Sequence, residues 1–191
     1  MSDQLQLFGA TPTLPPGFKY SPDIMPAEYE RELLQKIKEL PFKEFEFHGF
    51  LGKRRTVSFG WKYDFGKRTL HKAADIPGFL LELRQVAAEF AGMASSELQQ
   101  VLVLEYGAGA GIGWHKDKAV FGEVIGISLL APAQFRLRRK AGDTWDRVSL
   151  TIEPRSAYLL SGEVRTEWEH SIPPVDALRY SVTFRNLRDD R

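Results

Sequence analysis

Three side chains in this sequence could together bind a metal ion: His115, Asp117 and His170. His115 and Asp117 are two residues apart, and in an extended segment such residues point to the same face of a sheet. A second imidazole from another strand would complete a set of two histidines and one carboxylate. Such a set leaves coordination positions open, which suits non-haem Fe(II) and its oxygen chemistry. The structural alternative is that the histidines are core residues satisfied by hydrogen bonds.

A second polar pattern begins nine positions after His170, in the segment 179–185 (RYSVTFR). Its β-branched and aromatic residues predict a strand. Alternation places Arg179 and Arg185 at the two ends of one polar face. Two surface arginines that flank an exposed edge strand would also explain the pattern. Beside a metal site, however, the two arginines fit a dicarboxylate that chelates the metal at one end, because a desolvated arginine requires an anion.

The order of these elements, H-x-D, then a distant H, then R-Y-S-V-T-F-R, resembles the AlkB family of 2-oxoglutarate/Fe(II)-dependent dioxygenases. The likeness is close over residues 101–187 and looser before them. It implies that His115, Asp117 and His170 bind Fe(2+), and that 2-oxoglutarate and O2 react there. Arg179, helped by Tyr106, would pair with the distal carboxylate of 2-oxoglutarate. Arg185 would lie near the metal-bound end of that ligand and hold the aspartate in place.

The resemblance also implies a reaction, namely hydroxylation of a substrate C–H bond coupled to conversion of 2-oxoglutarate to succinate and CO2. If the carbon is an N-methyl group of an alkylated DNA or RNA base, the hydroxylated product loses formaldehyde. The resemblance therefore implies oxidative demethylation of nucleic-acid bases, in DNA alkylation repair or RNA modification. Base flipping would bring the alkylated base to the iron.

Two positions depart from the family pattern. Leu104 stands where the family often has an asparagine two residues before the tyrosine. The segment 118–120 (KAV) stands where many nucleic-acid demethylases carry an acidic residue. The second departure keeps open the same oxidation of a protein side chain or small molecule. A further alternative is a jelly-roll binding module without catalysis, in which the histidines are structural.

Composition limits the class of protein further. A chain of 191 residues suits one domain, and 43% hydrophobic with 27% charged residues is typical of a soluble globule. The net charge is +1, so a nucleic acid would have to be bound by a local basic patch. The absence of cysteine excludes disulfides and thiol catalysis. Without a membrane-spanning run or a signal peptide, we expect a cytoplasmic protein that does not contact membranes, and we expect a monomer.

The elements that must position these residues fall into three stretches within one structural domain. Residues 1–22 read as a tail that ends in a strand near Phe18, and residues 23–98 contain two helices, at 26–40 and 77–91, and a substrate-lid segment. Residues 99–191 are predicted to be the catalytic core. Its predicted strands span 100–106, 113–118, 124–130, 133–140, 145–153, 156–161, 165–170 and 179–187. This order predicts an α+β, mainly β fold, and the resemblance implies a double-stranded β-helix (jelly roll) core with N-terminal supporting helices.

Four aromatic residues alternate in the segment 54–65, which has basic residues at both ends. A single strand would place Phe59, Trp61, Tyr63 and Phe65 on one face, either as a core stripe or as a substrate lid. In a lid, aromatic planes stack an extruded base while basic side chains bind phosphates. We predict that Phe59 and Phe65 are packed and that Trp61 or Tyr63, with Arg55, binds substrate.

Three further patterns have less specific readings. The glycine-rich segment 107–113 is predicted to be a flexible connector, because a phosphate loop would require a following helix and a Gly-Lys-Ser/Thr motif. Trp168 would share a strand face with His170, either as a wall of the iron pocket or as a core residue. A basic cluster is predicted to be a solvated face or a phosphate-binding rim; it comprises Arg136, Arg138, Arg139 and Lys140.

Overall fold

The chain alternates short strands with a few helices in the computed structural model, which describes residues 13–47 and 50–188. In chain order the regular elements are β1 (Phe18–Ser21), α1 (Ala27–Ile37), β2 (Lys43–Phe47), β3 (Phe50–Phe59), β4 (Trp61–Asp64), β5 (Thr69–Lys72), a 3-10 helix (Gly78–Leu80), α2 (Leu81–Ala91), a second 3-10 helix (Ser95–Glu97), β6 (Leu98–Tyr106), β7 (Ile112–His115), β8 (Phe121–Leu129), β9 (Ala133–Ala141), β10 (Thr144–Ile152), β11 (Ala157–Leu160), α3 (Gly162–Thr166), β12 (Glu169–Ile172) and β13 (Arg179–Leu187).

Two antiparallel sheets enclose the interior in which the predicted site residues lie. The larger sheet has the strand order β1-β11-β8-β13-β6-β3-β2, and the smaller has the order β10-β9-β12-β7. Apolar side chains of both sheets form one buried cluster, which includes Leu104, Val124, Phe135, Leu137 and Ile172. Inward-facing residues alternate with outward-facing ones along each strand. The predicted double-stranded β-helix is therefore confirmed.

Helices α1 and α2 cover the other face of the larger sheet. The apolar face of α1 is buried there at Leu33 and Ile37, and that of α2 at Leu83 and Ala87. Strand β13, between β8 and β6 at the middle of the sheet, sends its apolar residues to these helices. Its polar residues consequently point to the interior between the two sheets.

Three predicted strands differ from the observed elements. The strand expected at 165–170 is the end of α3 followed by β12, because Val164 and Arg165 are buried on a helical turn. The strand expected at 113–118 ends at His115, so Asp117 lies beyond it. The aromatic segment is divided between β3 and β4 at Gly60, whose φ is +73°. Any side chain at Gly60 would collide with the carbonyl of Gln99.

The three predicted stretches share one sheet. β1, from the predicted tail, pairs with β11, and β3 pairs with β6. Residues 1–12 of that tail and residues 189–191 lie outside the described part of the chain. Within the described residues no helix is long and apolar enough to cross a membrane.

Candidate metal centre

The two histidines and the aspartate predicted as metal ligands converge at one edge of the smaller sheet. His115 on β7 and His170 on β12 are direct cross-strand partners, and their ring centroids are 4.2 Å apart. Nε2 of His170 lies 3.6 Å from Oδ2 of Asp117. One potential ligand atom from each of the three residues lies within 4.8 Å of the others. The geometry therefore allows one ion to contact all three.

Asp117 reaches this place by side-chain contact rather than by strand alternation. Arg185, on β13 of the opposite sheet, donates from Nη2 to Oδ1 of Asp117 over 2.6 Å, and both side chains are almost completely buried. Nη1 of Arg185 donates to Oε1 of Gln100 over 2.8 Å. The family resemblance implied the contact between Arg185 and Asp117, whereas nothing in the sequence indicated Gln100. Because Gln100 and Asp117 occupy both Nη atoms, the geometry suits Arg185 for positioning the aspartate.

A second buried arginine, which the sequence analysis did not select, holds the backbone around Asp117. Arg165 on α3 donates to the carbonyl oxygens of Asp117 (3.3 Å), Lys118 (2.8 Å), Phe121 (2.7 Å) and Gly122 (2.6 Å). Hydrogen bonds from a charged donor are roughly twice as strong as neutral ones. The loop that carries the carboxylate is thus held in position by the protein itself. Residues 113–118 were predicted to be a strand, and a strand pattern gives no indication of the contacts that Arg165 makes.

The protonation states of the three residues suit a divalent cation. Nδ1 of His115 donates to the carbonyl of Gly113 over 2.9 Å, which leaves the Nε2 lone pair for a metal. Burial lowers the pKa of His115, and burial together with the nearby His115 lowers the pKa of His170 to about 3. Burial alone would raise the pKa of Asp117, but Arg185 and the two histidines outweigh it and lower that pKa well below its usual range. At neutral pH the centre therefore offers two neutral imidazoles and one carboxylate, the donor set of a facial Fe(II) site.

Another buried arginine, Arg179, lies on the same face of β13 as Arg185. Arg179 is fully buried, its Nη2 donates to Oγ of Ser128 over 2.9 Å, and its guanidinium lies 4.8 Å from the ring centroid of Tyr106. Nε and Nη1 are buried without a hydrogen-bond partner, and no carboxylate among the described side chains forms an ion pair with Arg179. A buried cation with unused donors is costly unless an anion binds it. One carboxylate of 2-oxoglutarate would supply that anion, so the residues present fit this cofactor.

The predicted lid lies beside the metal centre, although its aromatic residues divide into two groups. Phe59 is part of the core that the helices cover, as predicted. Tyr63 and Phe65 pack edge to face, with ring centroids 5.2 Å apart. Nζ of Lys118, the residue after Asp117, lies 5.5 Å and 5.1 Å from these two rings. Trp61 is half-buried and lies under Lys72 of β5, at 5.5 Å.

Arg55, predicted to bind substrate, does not reach the metal cluster. Its guanidinium forms an ion pair with Glu105 over 2.7 Å and lies over the ring of Phe42, on the helix-facing side of the sheet. The neighbouring Arg54 points to the interior, where it is opposite Tyr106 and its charge acts on the imidazole of His115. Alternation along β3 therefore places Arg54, and not Arg55, on the side of the metal cluster. The sequence alone did not show which face of β3 meets the helices.

The remaining patterns are also placed by the structure. Trp168 is buried in the apolar cluster between the sheets, and Arg139 is held by Asp146 at 3.0 Å and Glu163 at 2.7 Å. The glycine-rich segment 107–113 is not followed by a helix, as predicted. It forms a hydrogen-bonded turn in which Gly109 donates to the carbonyl of Val175 over 2.7 Å.

Comparison with known proteins gives one family and several relatives. The family model described as the 2OG-Fe(II) oxygenase superfamily matches residues 17–185. A protein from Arabidopsis thaliana named "Alkylated DNA repair protein ALKBH8 homolog" is 30% identical over 91% of this chain and 56% of its own length. A mouse protein named "tRNA (carboxymethyluridine(34)-5-O)-methyltransferase ALKBH8" is 28% identical over 90% of this chain and 27% of its own length. The chain thus spans about half or less of these curated relatives.

Two solved structures share the fold. One, described as "The structure of OsALKBH1", superposes with a TM-score of 0.66 at 17% identity and covers 91% of this chain and 98% of its own. The other, a Pseudomonas putida prolyl-4-hydroxylase, has a TM-score of 0.58 at 14% identity and covers 91% and 94% respectively. At these identities the likeness concerns the double-stranded β-helix.

Proposed function

Since this chain belongs to the 2OG-Fe(II) oxygenase superfamily, as an AlkB-type dioxygenase that uses Fe(2+), 2-oxoglutarate and O2, we propose that it demethylates alkylated bases of DNA or RNA. The substrate loses an N-methyl group as formaldehyde, and 2-oxoglutarate leaves as succinate and CO2. Membership of this superfamily removes the alternative of a jelly-roll module without catalysis.

One observation supports this assignment most strongly. The three potential metal ligands and Arg179, a buried arginine with two unpartnered nitrogens, all face the space between the two sheets. Arg185 and Arg179 share a face of β13, and Arg185 contacts Asp117. Nε and Nη1 of Arg179 have no partner. An interior with both features suits a small anion that reaches from the metal to a cation.

Each residue has a distinct part in the proposed mechanism. His115, Asp117 and His170 would hold the iron. Arg179, with Tyr106 beside it, would bind the distal carboxylate of 2-oxoglutarate. Bound iron and 2-oxoglutarate would supply the oxidising chemistry, by which one atom of O2 would enter succinate, as CO2 is lost, and the other would enter the substrate C–H bond.

The protein itself contributes the orientation and the ionised state of the acidic ligand. Arg185 keeps Asp117 ionised and aimed at the metal, because the ion pair is buried. Arg165 holds the loop of that aspartate, so its carboxylate does not have to be reorganised during turnover. The hydroxymethyl product then breaks its C–N bond, the nitrogen of the base takes the hydroxyl proton, and formaldehyde leaves.

The proposal of a nucleic-acid substrate rests on the lid and on the relatives. Tyr63 and Phe65 offer aromatic planes beside the loop of Asp117, and aromatic planes stack bases that have left a duplex. The names of the relatives refer to alkylated DNA and to tRNA. Trp61 on the same hairpin is proposed as a further contact with the substrate.

Lys118 favours a second candidate, the same oxidation of a protein side chain or small molecule. It occupies the place where many demethylases of the AlkB type carry an acid, and its ammonium lies over Tyr63 and Phe65. A cation there cannot accept a hydrogen bond from the exocyclic amine of a base. It would instead favour an anionic group on the substrate.

The experiment is an assay of wild-type protein with Fe(II), 2-oxoglutarate and O2 against methylated DNA and RNA oligonucleotides. The expected result is formaldehyde and unmethylated base in equal amounts, each absent with His115→Ala. Succinate without formaldehyde on every oligonucleotide, and with hydroxylation of an anionic peptide or metabolite instead, would support the second candidate. Full activity of His115→Ala would overturn the ligand assignment.

A further inference from the structure

The outward face of the smaller sheet carries a band of arginines and tryptophans that the metal centre does not use. Because His115 points inward, its neighbour Trp114 points outward from the edge strand β7. Alternate residues of β9 and β10 do the same. We call this surface the outer basic face; it consists of Trp114, Arg136, Arg138, Lys140, Trp145 and Arg147.

The cations and indoles of this face are interleaved. The guanidinium of Arg138 lies 4.4 Å from the ring centroid of Trp114 and 4.3 Å from that of Trp145. Arg136 lies 5.1 Å from the first indole, and Lys140 lies 5.4 Å from the second. Cation–π contacts of this kind hold long side chains in place. The two indoles are consequently held at the surface, each half-buried, instead of being packed into the core.

Positive charge on this face is not balanced by the protein. Glu169 pairs with Arg138 over 2.6 Å, and no other carboxylate among the described side chains forms an ion pair with the four cations of the face. Arg147 is the direct cross-strand partner of Arg138. Like charges directly opposite each other on neighbouring strands are destabilising. The whole chain carries a net charge of only +1, so this concentration is local.

A groove runs between these side chains. It has a volume of about 400 Å³, and its lining includes Trp114, Arg136, Arg138, Arg147 and Ser149. Phosphates bound in the groove would offset the repulsion between the neighbouring arginines. Unpaired bases could stack on the exposed surface of the indoles. Stacking requires bases that are not paired in a duplex.

We propose that the outer basic face is a binding site for single-stranded nucleic acid, separate from the metal centre. It engages the phosphates with Arg136, Arg147 and Lys140, and it stacks bases on Trp114 and Trp145. Strand β7 is the edge of the sheet, so a polynucleotide that crosses it passes from this face to the side of the metal centre. The site would hold flanking nucleotides irrespective of the base that is oxidised.

The test is the binding of a fluorescein-labelled, unmodified single-stranded RNA, and of DNA with the same sequence, measured by anisotropy without iron or 2-oxoglutarate. The double variant Lys140→Glu/Arg147→Glu should weaken binding at least tenfold. Loss of two phosphate contacts should also make the negative slope of log K against log salt shallower by about 1.4. Trp145→Leu should weaken binding severalfold without changing that slope. The matched control Arg31→Glu/Lys38→Glu reverses two exposed charges, one on α1 and one directly after it, and should stay within twofold of wild type.

Several outcomes would overturn the proposal: equal loss in the control pair, unchanged binding in the Lys140/Arg147 pair, or displacement of the RNA by poly-glutamate as readily as by unlabelled RNA. The last result would assign the face to an acidic polypeptide. Duplex bound more tightly than single strand would contradict the role of the indoles. Because binding is measured without turnover, the result tests the outer basic face even if methylated oligonucleotides prove not to be substrates.

Discussion

The fully buried Arg179 leads to a test in which stability and ligand binding change in opposite directions. Two of its nitrogens have no partner in the protein, and each buried, unsatisfied donor costs about 1–3 kcal/mol. Arg179→Met removes both donors and keeps most of the apolar stem. It loses the hydrogen bond to Ser128, worth about 1 kcal/mol, and the contact of the guanidinium with the ring of Tyr106, worth about 1 kcal/mol. We therefore expect the ligand-free variant to gain about 2 kcal/mol in free energy of unfolding. For a domain of this size that raises Tm by about 4–8 °C.

The same substitution should abolish stabilisation by 2-oxoglutarate. In the wild type, 2-oxoglutarate at 100 times its Kd adds about 2.7 kcal/mol. Loss of two charge-assisted hydrogen bonds weakens affinity about 100-fold or more. At the same concentration the stabilisation of Arg179→Met then falls to about 0.4 kcal/mol or less, a shift in Tm of at most about 2 °C.

The assay is thermal unfolding with Mn(II), in the absence and presence of 2-oxoglutarate. The matched control is Arg165→Met, since Arg165 is also buried but donates to four backbone carbonyls. That variant should lose at least about 3 kcal/mol, because those carbonyls become unsatisfied. Equal destabilisation of both variants, or a wild-type ligand shift in Arg179→Met, would refute the assignment of Arg179 as an anion-binding residue.

Three further predictions concern the metal centre and the lid. Arg185→Met removes the 2.6 Å ion pair with Asp117 and should weaken Mn(II) binding about 10–100-fold in calorimetry; unchanged affinity would show that Arg185 does not position the carboxylate. Burial lowers the pKa of His115 and, with the nearby His115, lowers that of His170 to about 3, so the Kd for Mn(II) should rise between pH 7.5 and 6.0 by less than the roughly fourfold change that one ordinary imidazole would cause. A tenfold loss per pH unit would mean that an imidazole takes up a proton in that range. Trp61→Ala should raise the KM for an oligonucleotide substrate far more than it changes succinate formation without substrate. If the KM and the rate of succinate formation both stay at wild-type levels, Trp61 does not belong to the lid.

The sequence was sufficient where local pattern decides structure. The two faces of β13 follow from alternation, so the inward position of Arg179 and Arg185 could be predicted. Pro26 before α1 and Gly92 after α2, with φ of +75°, were recognisable as helix boundaries. His115 and His170 could be paired because the order of the motifs resembles that of one family.

Contacts between distant parts of the chain set the features that the sequence did not predict. Arg165 is 48 residues from Asp117, and nothing in its neighbours indicates that it donates to four carbonyls. The break at Gly60 depends on the close approach of Gln99. The choice between Arg54 and Arg55 depends on which face of β3 meets the helices. In each case the deciding neighbour belongs to another strand or helix.

The hydrogen bonds of Arg165 also bear on how the protein acquires iron. The loop of the acidic ligand is held by hydrogen bonds from α3, so we expect it to keep its shape when no iron is bound. Loss of the ion to a chelator should leave an intact apoprotein that can be reloaded without refolding.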